Sequence, residues 1–440
     1  MLKKFKLANF SSFNAEQTFD MTAGSTRILN NHVVDFGNVR ILKTGVIYGA
    51  NASGKSNLIK AIDFARKIIV NGIDSVDTYK KHFRLSDFNS KEETKFEFEI
   101  QLDGKFYSYS FSTILTSGQI VEEWLYEIGL NSPRKIFERV GSNISLGKAL
   151  QSGELKGRFE IYVDDMKNQK SQLFLSEIAD KELQLSEVKE LNLVFDWFSD
   201  KLDIFYPDDK YCGFKTVTNG LIKDLTNYLS KFDTGVTEIC TVEEDFEEAL
   251  KNYPDSLKAR IIKDSSNDDA FEAAIHGDSE LLTLYKNTDD EIKVKKLAFI
   301  HGGKHKEAFE LKEESDGTRR LLDFIPLLSK FSENHTILVD EFDRSLHPKL
   351  TKEFFSLFHA LQDSKSQLIV STHESTLMDL DILRRDEIWF VEKARDHSSK
   401  LFSLNSFKER YDKKIEKAYL VGRYGAVPVF KNFQNISWDE

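Results

Sequence analysis

Gly49-Ala50-Asn51-Ala52-Ser53-Gly54-Lys55-Ser56 follows the apolar run Val46-Ile47-Tyr48 and opens a stretch of helical periodicity. The octet has the form G-x-x-x-x-G-K-[ST], a phosphate-binding loop, and its flanks are the ones such a loop needs. A buried strand over Ile41 to Tyr48 leads in, and an amphipathic helix from Asn57 to Val70 leads out. The glycines let successive backbone N–H groups turn inward around a polyphosphate, and the helix N-terminus adds partial positive charge. Gly49, Ala50, Asn51, Ala52, Ser53, Gly54, Lys55, Ser56 and Asn57 are therefore candidate nucleotide-binding residues. Lys55 is expected to reach the β- and γ-phosphates of a bound nucleoside triphosphate, and the Ser56 hydroxyl to ligate Mg²⁺.

Working outward, the chain supplies a second half for this site. Thr336-Ile337-Leu338-Val339 is an apolar strand that ends in Asp340-Glu341. A strand end puts Asp340 where it can hold Mg²⁺ opposite Ser56. Glu341, one residue on, can orient and polarise an attacking water. Phosphoryl transfer is mostly positioning plus electrostatics, so this pair with Lys55 can carry much of the chemistry. A further buried strand, Gln367-Leu368-Ile369-Val370, gives way to Ser371-Thr372-His373, which places His373 to contact a γ-phosphate. The catalytic candidates are Lys55, Glu341 and His373, and the metal candidates are Ser56 and Asp340. A third segment, Glu314-Ser315-Asp316-Gly317-Thr318-Arg319-Arg320, immediately precedes a helix. Ser315 and Gly317 there suit an anion-binding cap, although Ser315 or Asp316 as a plain helix N-cap accounts for the same residues.

Phosphate loop, insertion, S-x-G before a helix, Asp-Glu, then a strand ending in His is an order that resembles the ATP-binding-cassette (ABC) ATPases. The long separation of Lys55 from Asp340 looks like the SMC/RecF-like branch. More closely, the chain resembles the RloA/AbiL-type AAA-family ATPases of prokaryotic defence islands. The residues that carry this likeness are Ala8-Asn9-Phe10-Ser11-Ser12-Phe13, Tyr48 to Ser56, Glu314 to Leu321, Asp340-Glu341 with Ser345-Leu346-His347-Pro348, and Ser371-Thr372-His373-Glu374. Arg385 to Phe390 and the terminal Tyr419-Leu420-Val421-Gly422-Arg423-Tyr424-Gly425-Ala426-Val427-Pro428 complete the set. Ser11 stands where Arg is common and Asp316 where Gly is common, so contacts of that Arg do not carry over.

The resemblance implies an α/β fold: an ABC-type P-loop NTPase with a split nucleotide-binding domain, an antiparallel β lobe and a helical insert. It also implies ATP and Mg²⁺ as cofactors, with Ser315 and Gly317 touching the γ-phosphate of the nucleotide held by a second copy. A head-to-tail homodimer around two ATP molecules is then the active form.

Local patterning agrees with a split domain. Alternation over Lys95 to Gln101, Lys105 to Thr113, Gln119 to Gly129 and Lys135 to Val140 predicts antiparallel strands, with Asp103-Gly104 as a hairpin turn. Helical periodicity in Leu173 to Phe198, Leu221 to Phe232 and Phe246 to Ile262 predicts a mainly helical insert over 146–290. The phosphate-loop lobe is expected over 1–145 and the signature, Asp-Glu and His lobe over 291–440. There the pattern predicts strands at Lys293 to Ile300, Ala308 to Leu311 and Glu387 to Val391, and helices at Thr318 to Phe331 and Lys349 to Leu361.

Composition bounds the function. A net charge of −11 weighs against broad nucleic-acid binding, which needs surplus Lys and Arg. The cluster Lys293-Val294-Lys295-Lys296 with Lys304 and Lys306 reads as a solvated strand face before it reads as a DNA track. Cys212 and Cys240 are isolated, as in reduced core thiols. With no apolar run of membrane-spanning length and no signal-peptide core, a cytoplasmic location without membrane partner is expected.

The leading expectation is an ATP-hydrolysing sensor or scaffold in antiviral defence, acting with a separately encoded toxin or nuclease. The stretch after His373 is too short for an appended nuclease domain. Alternatives are a DNA repair or chromosome-maintenance ATPase, and an ATP-gated dimeric binding module with little turnover, against which Glu341 argues.

Overall fold

A computed structural model describes residues 1–129, 132–151, 156–181, 183, 188–208, 219–266, 271–276, 280–302, 306–361, 364–407 and 415–427. Cys212, Lys304 and Pro428 lie outside the described residues. The chain divides into two units. The first comprises Met1–Pro207, Phe331–Asp343 and Thr351–Glu440; the second comprises Asp208–Lys330 and Arg344–Leu350.

The first unit holds a six-stranded sheet in the order Leu202–Phe205, Thr336–Val339, Gln367–Ser371, Thr44–Tyr48, Ile388–Lys393, Ser399–Ser403. The first five strands run parallel and the last pairs antiparallel. Every residue of Thr44–Tyr48, Thr336–Val339 and Gln367–Ser371 is buried, as in strands covered on both faces. The phosphate loop leaves the C-terminal end of Thr44–Tyr48, and Asp340 leaves that of Thr336–Val339. The expected strand over Ile41 to Tyr48 divides at Lys43: Arg40–Leu42 pairs with Val33–Asp35, and only Thr44–Tyr48 enters the parallel sheet.

A seven-stranded antiparallel sheet lies in the same unit. Its order is Asn143–Leu146, Arg134–Val140, Gln119–Ile128, Lys105–Ile114, Thr94–Leu102, Leu2–Ala8, Gln17–Asp20. The turn between Thr94–Leu102 and Lys105–Ile114 has positive φ at both central residues, Asp103 (46°) and Gly104 (81°). That conformation matches strand twist in a two-residue hairpin. Phe96, Phe98 and Ile100 face the same core as Leu58, Ile59 and Ile62 of the helix Lys55–Asn71. The phosphate-loop helix is thus anchored by apolar packing along its length.

The second unit is built around a five-stranded sheet: Val236–Asp245, Ile292–His301, Leu281–Lys286 and Glu272–His276 in order, with Glu307–Glu310 also on Ile292–His301. The 146–290 region is therefore less helical than its periodicity predicts. Its part before Asp208 belongs to the first unit, where Leu202–Phe205 extends the parallel sheet. Val236–Asp245 escapes recognition because its C-terminal half is acidic and reads as a polar break. Those acids have partners: Glu243 sits opposite Lys295 and Asp245 opposite Lys293 in register. Cross-strand pairs of opposite charge stabilise such a ladder modestly.

The described lysines of the basic cluster have carboxylate partners. Lys293, Lys295 and Lys296 lie 2.7, 3.9 and 2.5 Å from Asp245, Glu243 and Glu244, and Lys306 lies 3.4 Å from Glu238. Among the described residues no helix is long and apolar enough to cross a membrane.

Candidate nucleotide site

Backbone geometry forms the loop. Ala52 and Gly54 take positive φ (60° and 116°), which turns the intervening peptide groups inward. Gly49 has no alternative: a Cβ there would overlap the Val391 carbonyl and the Ser53 side chain. Ser399 Oγ donates its one proton to the Ser53 carbonyl at 2.5 Å and accepts from Ser12 Oγ at 2.7 Å, and Asn57 Nδ2 donates to Ser12 Oγ at 2.9 Å. The loop is thereby tied to the strand Ser399–Ser403 and to the Phe10–Phe13 turn.

Lys55 is buried, and its ammonium donates to the carbonyls of Gly49 (2.8 Å) and Ala50 (3.3 Å). Burial lowers its pKa to about 8, against the opposing pull of Asp340, Asp343 and Glu341. Among the described residues the buried Ser53 hydroxyl has no hydrogen-bond partner. A buried cation whose hydrogen bonds, among the described residues, go to its own loop, beside a hydroxyl with none, fits a polyphosphate that would supply acceptors to both.

The carboxylates meet the loop. Ser56 Oγ donates to Asp340 Oδ1 at 3.1 Å, and Ser371 Oγ also donates to Asp340 Oδ1. Ser371 Oγ in turn accepts the backbone N–H of Glu341 at 2.9 Å. Glu341 itself has φ of 48°, a strained conformation for a non-glycine residue. Two adjacent oxygens, from Ser56 and Asp340, are a fitting start for a hard cation that takes oxygen ligands and keeps several waters.

His373 is exposed, and its backbone N–H donates to both carboxylate oxygens of Asp343, at 3.2 and 3.3 Å. Burial, then the nearby Lys55, lower the His373 pKa, while Asp343, Glu341 and Asp340 oppose them. A neutral imidazole results at neutral pH.

The structure brings Lys55, Ser56, Asp340, Glu341 and His373 to one end of one sheet. Ser315 and Gly317 belong to the second unit. There Ser315 Oγ accepts the Thr318 N–H at 3.1 Å, capping the helix Asp316–Lys330, and Asp316 pairs with Arg319 at 2.5 Å. Gly317 approaches the Ser345 carbonyl closely enough that a Cβ would lie 3.2 Å from it.

Two working residues have only a faint sequence signal. Ser371 stands in the polar triplet before His373, but its bridge from Asp340 to Glu341 depends on the pairing of Thr336–Val339 with Gln367–Ser371. Asp343 looks like an ordinary loop acid until its contact with the His373 N–H is seen.

A family model described as "AAA domain, putative AbiEii toxin, Type IV TA system" matches residues 46–200 and 223–379, taking in the phosphate loop, Ser315, Asp340-Glu341 and His373. The chain belongs to this AAA family. Within the family match, the site lies on an α/β core, at the end of the parallel sheet that shares its unit with the antiparallel sheet. No curated protein matches the AAA chain. Among solved structures it is similar to an SMC head bound to the C-winged helix domain of ScpA (15% identity, TM-score 0.44, covering 91% of this chain and 97% of that one). It is also similar to the SMC head domain from Thermotoga maritima (12%, 0.39, 91% and 98%). A third is an Smc head with extended coiled coil, bound to the C-terminal domain of ScpA, from Pyrococcus furiosus (14%, 0.38, 96% and 98%).

Proposed function

We propose that this chain is an ATP-binding and ATP-hydrolysing ABC-type ATPase that works as a dimer. The observation that carries the reading is the 3.1 Å hydrogen bond from Ser56 to Asp340, beside buried Lys55. On this reading the Lys55 ammonium exchanges the Gly49 and Ala50 carbonyls for phosphate oxygens, and Ser56 with Asp340 would hold Mg²⁺. Bound Mg²⁺ supplies charge neutralisation of the phosphates. Glu341 orients and polarises the attacking water, with its backbone fixed by Ser371. Neutral His373 donates a hydrogen bond to the terminal phosphate, held in place by Asp343. Ser315 and Gly317 close the site of a second copy, so ATP acts as a reversible link between copies and hydrolysis as its release.

The finer part of the proposal is a cytoplasmic sensor or scaffold in antiviral defence that controls a separately encoded effector; the family description itself names a putative toxin of a type IV toxin–antitoxin system. Genome maintenance through direct DNA binding is less well supported, because Lys293, Lys295 and Lys296 are already paired with carboxylates.

Mg²⁺-dependent ATP turnover by the full chain tests the enzymatic part. Turnover lost in Glu341→Gln with ATP binding retained agrees with it, and unchanged ATP affinity in Lys55→Ala contradicts it. The defence part is tested by coexpression with the products of neighbouring genes. A stable complex whose partner is toxic when released agrees; DNA-stimulated turnover with no such partner favours the genome-maintenance alternative.

A further inference from the structure

His32, His359 and Glu387 come from three distant parts of the sequence and meet in the interior of the first unit, with ligand-capable atoms within 4.8 Å of one another. His32 ends the one-turn helix Asn30–His32, His359 lies in the last turn of Pro348–Ala360, and Glu387 ends the one-turn helix Arg385–Glu387. Their exposures are 3%, 5% and 0%. We infer that these three side chains form a binding site for a divalent transition-metal ion of the Zn²⁺ type, separate from the nucleotide site.

Donor chemistry supports this. Two imidazoles and a carboxylate are a nitrogen–oxygen set suited to Zn²⁺. His32 Nδ1 lies 3.0 and 3.1 Å from the two Glu387 oxygens. That is close to the roughly 3.3 Å between two ligand atoms on one tetrahedral zinc. His359 Nδ1 is buried and, among the described residues, has no hydrogen-bond partner. Its other nitrogen, Nε2, is 3.0 Å from Thr44 Oγ1. When Nε2–H donates to that hydroxyl, the free lone pair sits on Nδ1, the pattern in which an outer hydrogen bond fixes a ligating histidine.

Charge gives the second argument. The Glu387 carboxylate is fully buried, and its partners are His32 and the Arg384 backbone N–H at 2.7 Å. The Arg384 guanidinium is spent on Asp386, at 2.9 and 2.7 Å. Burying a carboxylate is costly unless charge or hydrogen bonds offset it, and beside the His32 contact a dication would supply that charge. The two rings are stacked with centroids 3.3 Å apart and planes 4° from parallel, so loading the ion requires the His359 ring to tilt. Thr44 opens the strand that ends at the phosphate loop. The site thus lies about 16 Å along that strand from Gly49 and braces the start of the strand rather than the nucleotide.

The test uses the full chain, stripped with a chelator and titrated with Zn²⁺ by calorimetry and with Co²⁺ by visible absorption. The expected result is one ion per chain, the intense visible bands of tetrahedral Co²⁺, a raised thermal midpoint with Zn²⁺, and affinity that falls as pH is lowered and the ligands protonate. His359→Ala and Glu387→Gln are each expected to lose the bands and the thermal shift. If His359→Ala fails to fold, Glu387→Gln, which keeps side-chain size, decides alone. No uptake by the wild type, or equal uptake by the variants, means a metal-free hydrogen-bonded histidine stack and overturns the site.

Discussion

Ser56 Oγ and Asp340 Oδ1 are 3.1 Å apart although 284 positions separate them in the chain. Ser56 lies in the first turn of the helix after the phosphate loop, and Asp340 follows a strand two positions from Thr44–Tyr48 in the sheet order, with Gln367–Ser371 between them. Ser371, at the end of that intervening strand, bonds to Asp340 and to the Glu341 N–H. The candidate catalytic residues therefore depend on one another through a single strand end.

Removing that bridge is expected to impair chemistry without removing the nucleotide. Ser371→Ala leaves Asp340 and Glu341 present but unfixed, and a misplacement of about 1 Å can cost about 100-fold in rate. Steady-state kinetics on Ser371→Ala are expected to show a large fall in kcat with little change in ATP affinity. A wild-type kcat would show that the bridge does not position the acids.

Lys55 gives a pH dependence with a definite sign. Burial brings its pKa from 10.5 to about 8, and only the charged form attracts phosphate. Bound phosphate raises that pKa again, so binding takes up a proton, and ATP affinity falls as pH rises above about 8. Calorimetric titrations from neutral to alkaline pH check this. In Lys55→Arg, whose guanidinium does not titrate in this range, any residual affinity is expected to lose that alkaline fall.

Glu341→Gln keeps the size of the side chain and removes its charge. Turnover is expected to fall by about 100-fold or more, in line with the loss of a positioned electrostatic group. ATP remains bound, and size-exclusion chromatography with ATP and Mg²⁺ is expected to show a persistent dimer. A variant that stays monomeric and fully active contradicts the role of Glu341.

Ser315 separates a local role from a role in trans. Its hydroxyl caps the helix Asp316–Lys330, and Ser315→Ala is expected to cost about 1 kcal/mol of stability from the lost cap. Ser315→Asp preserves capping but repels phosphate. Its thermal melt is expected to match the wild type while its turnover is lost; wild-type turnover would leave Ser315 as a cap alone.

The sequence made the parallel core legible where motif and burial coincide. Thr44–Tyr48, Thr336–Val339 and Gln367–Ser371 are apolar runs that each end in polar residues of the site. Leu202–Phe205 carries no such ending, and only its pairing with Thr336–Val339 reveals that it belongs to this sheet. Val236–Asp245 hides behind its acids, whose lysine partners lie on a strand some fifty positions further on. Asp343 and Ser371 act through single hydrogen bonds set by tertiary geometry, which periodicity does not encode. His32, His359 and Glu387 have no motif spacing at all; burial and proximity alone unite them.

Mixing two inactive variants tests the central claim, a site shared between copies, most directly. Lys55→Ala retains an intact Ser315, and Ser315→Arg retains an intact Lys55. In a head-to-tail dimer of one with the other, one of the two composite sites is whole. The account predicts that an equimolar mixture regains ATP turnover approaching about one quarter of the wild-type rate. A mixture no more active than either variant alone would contradict it.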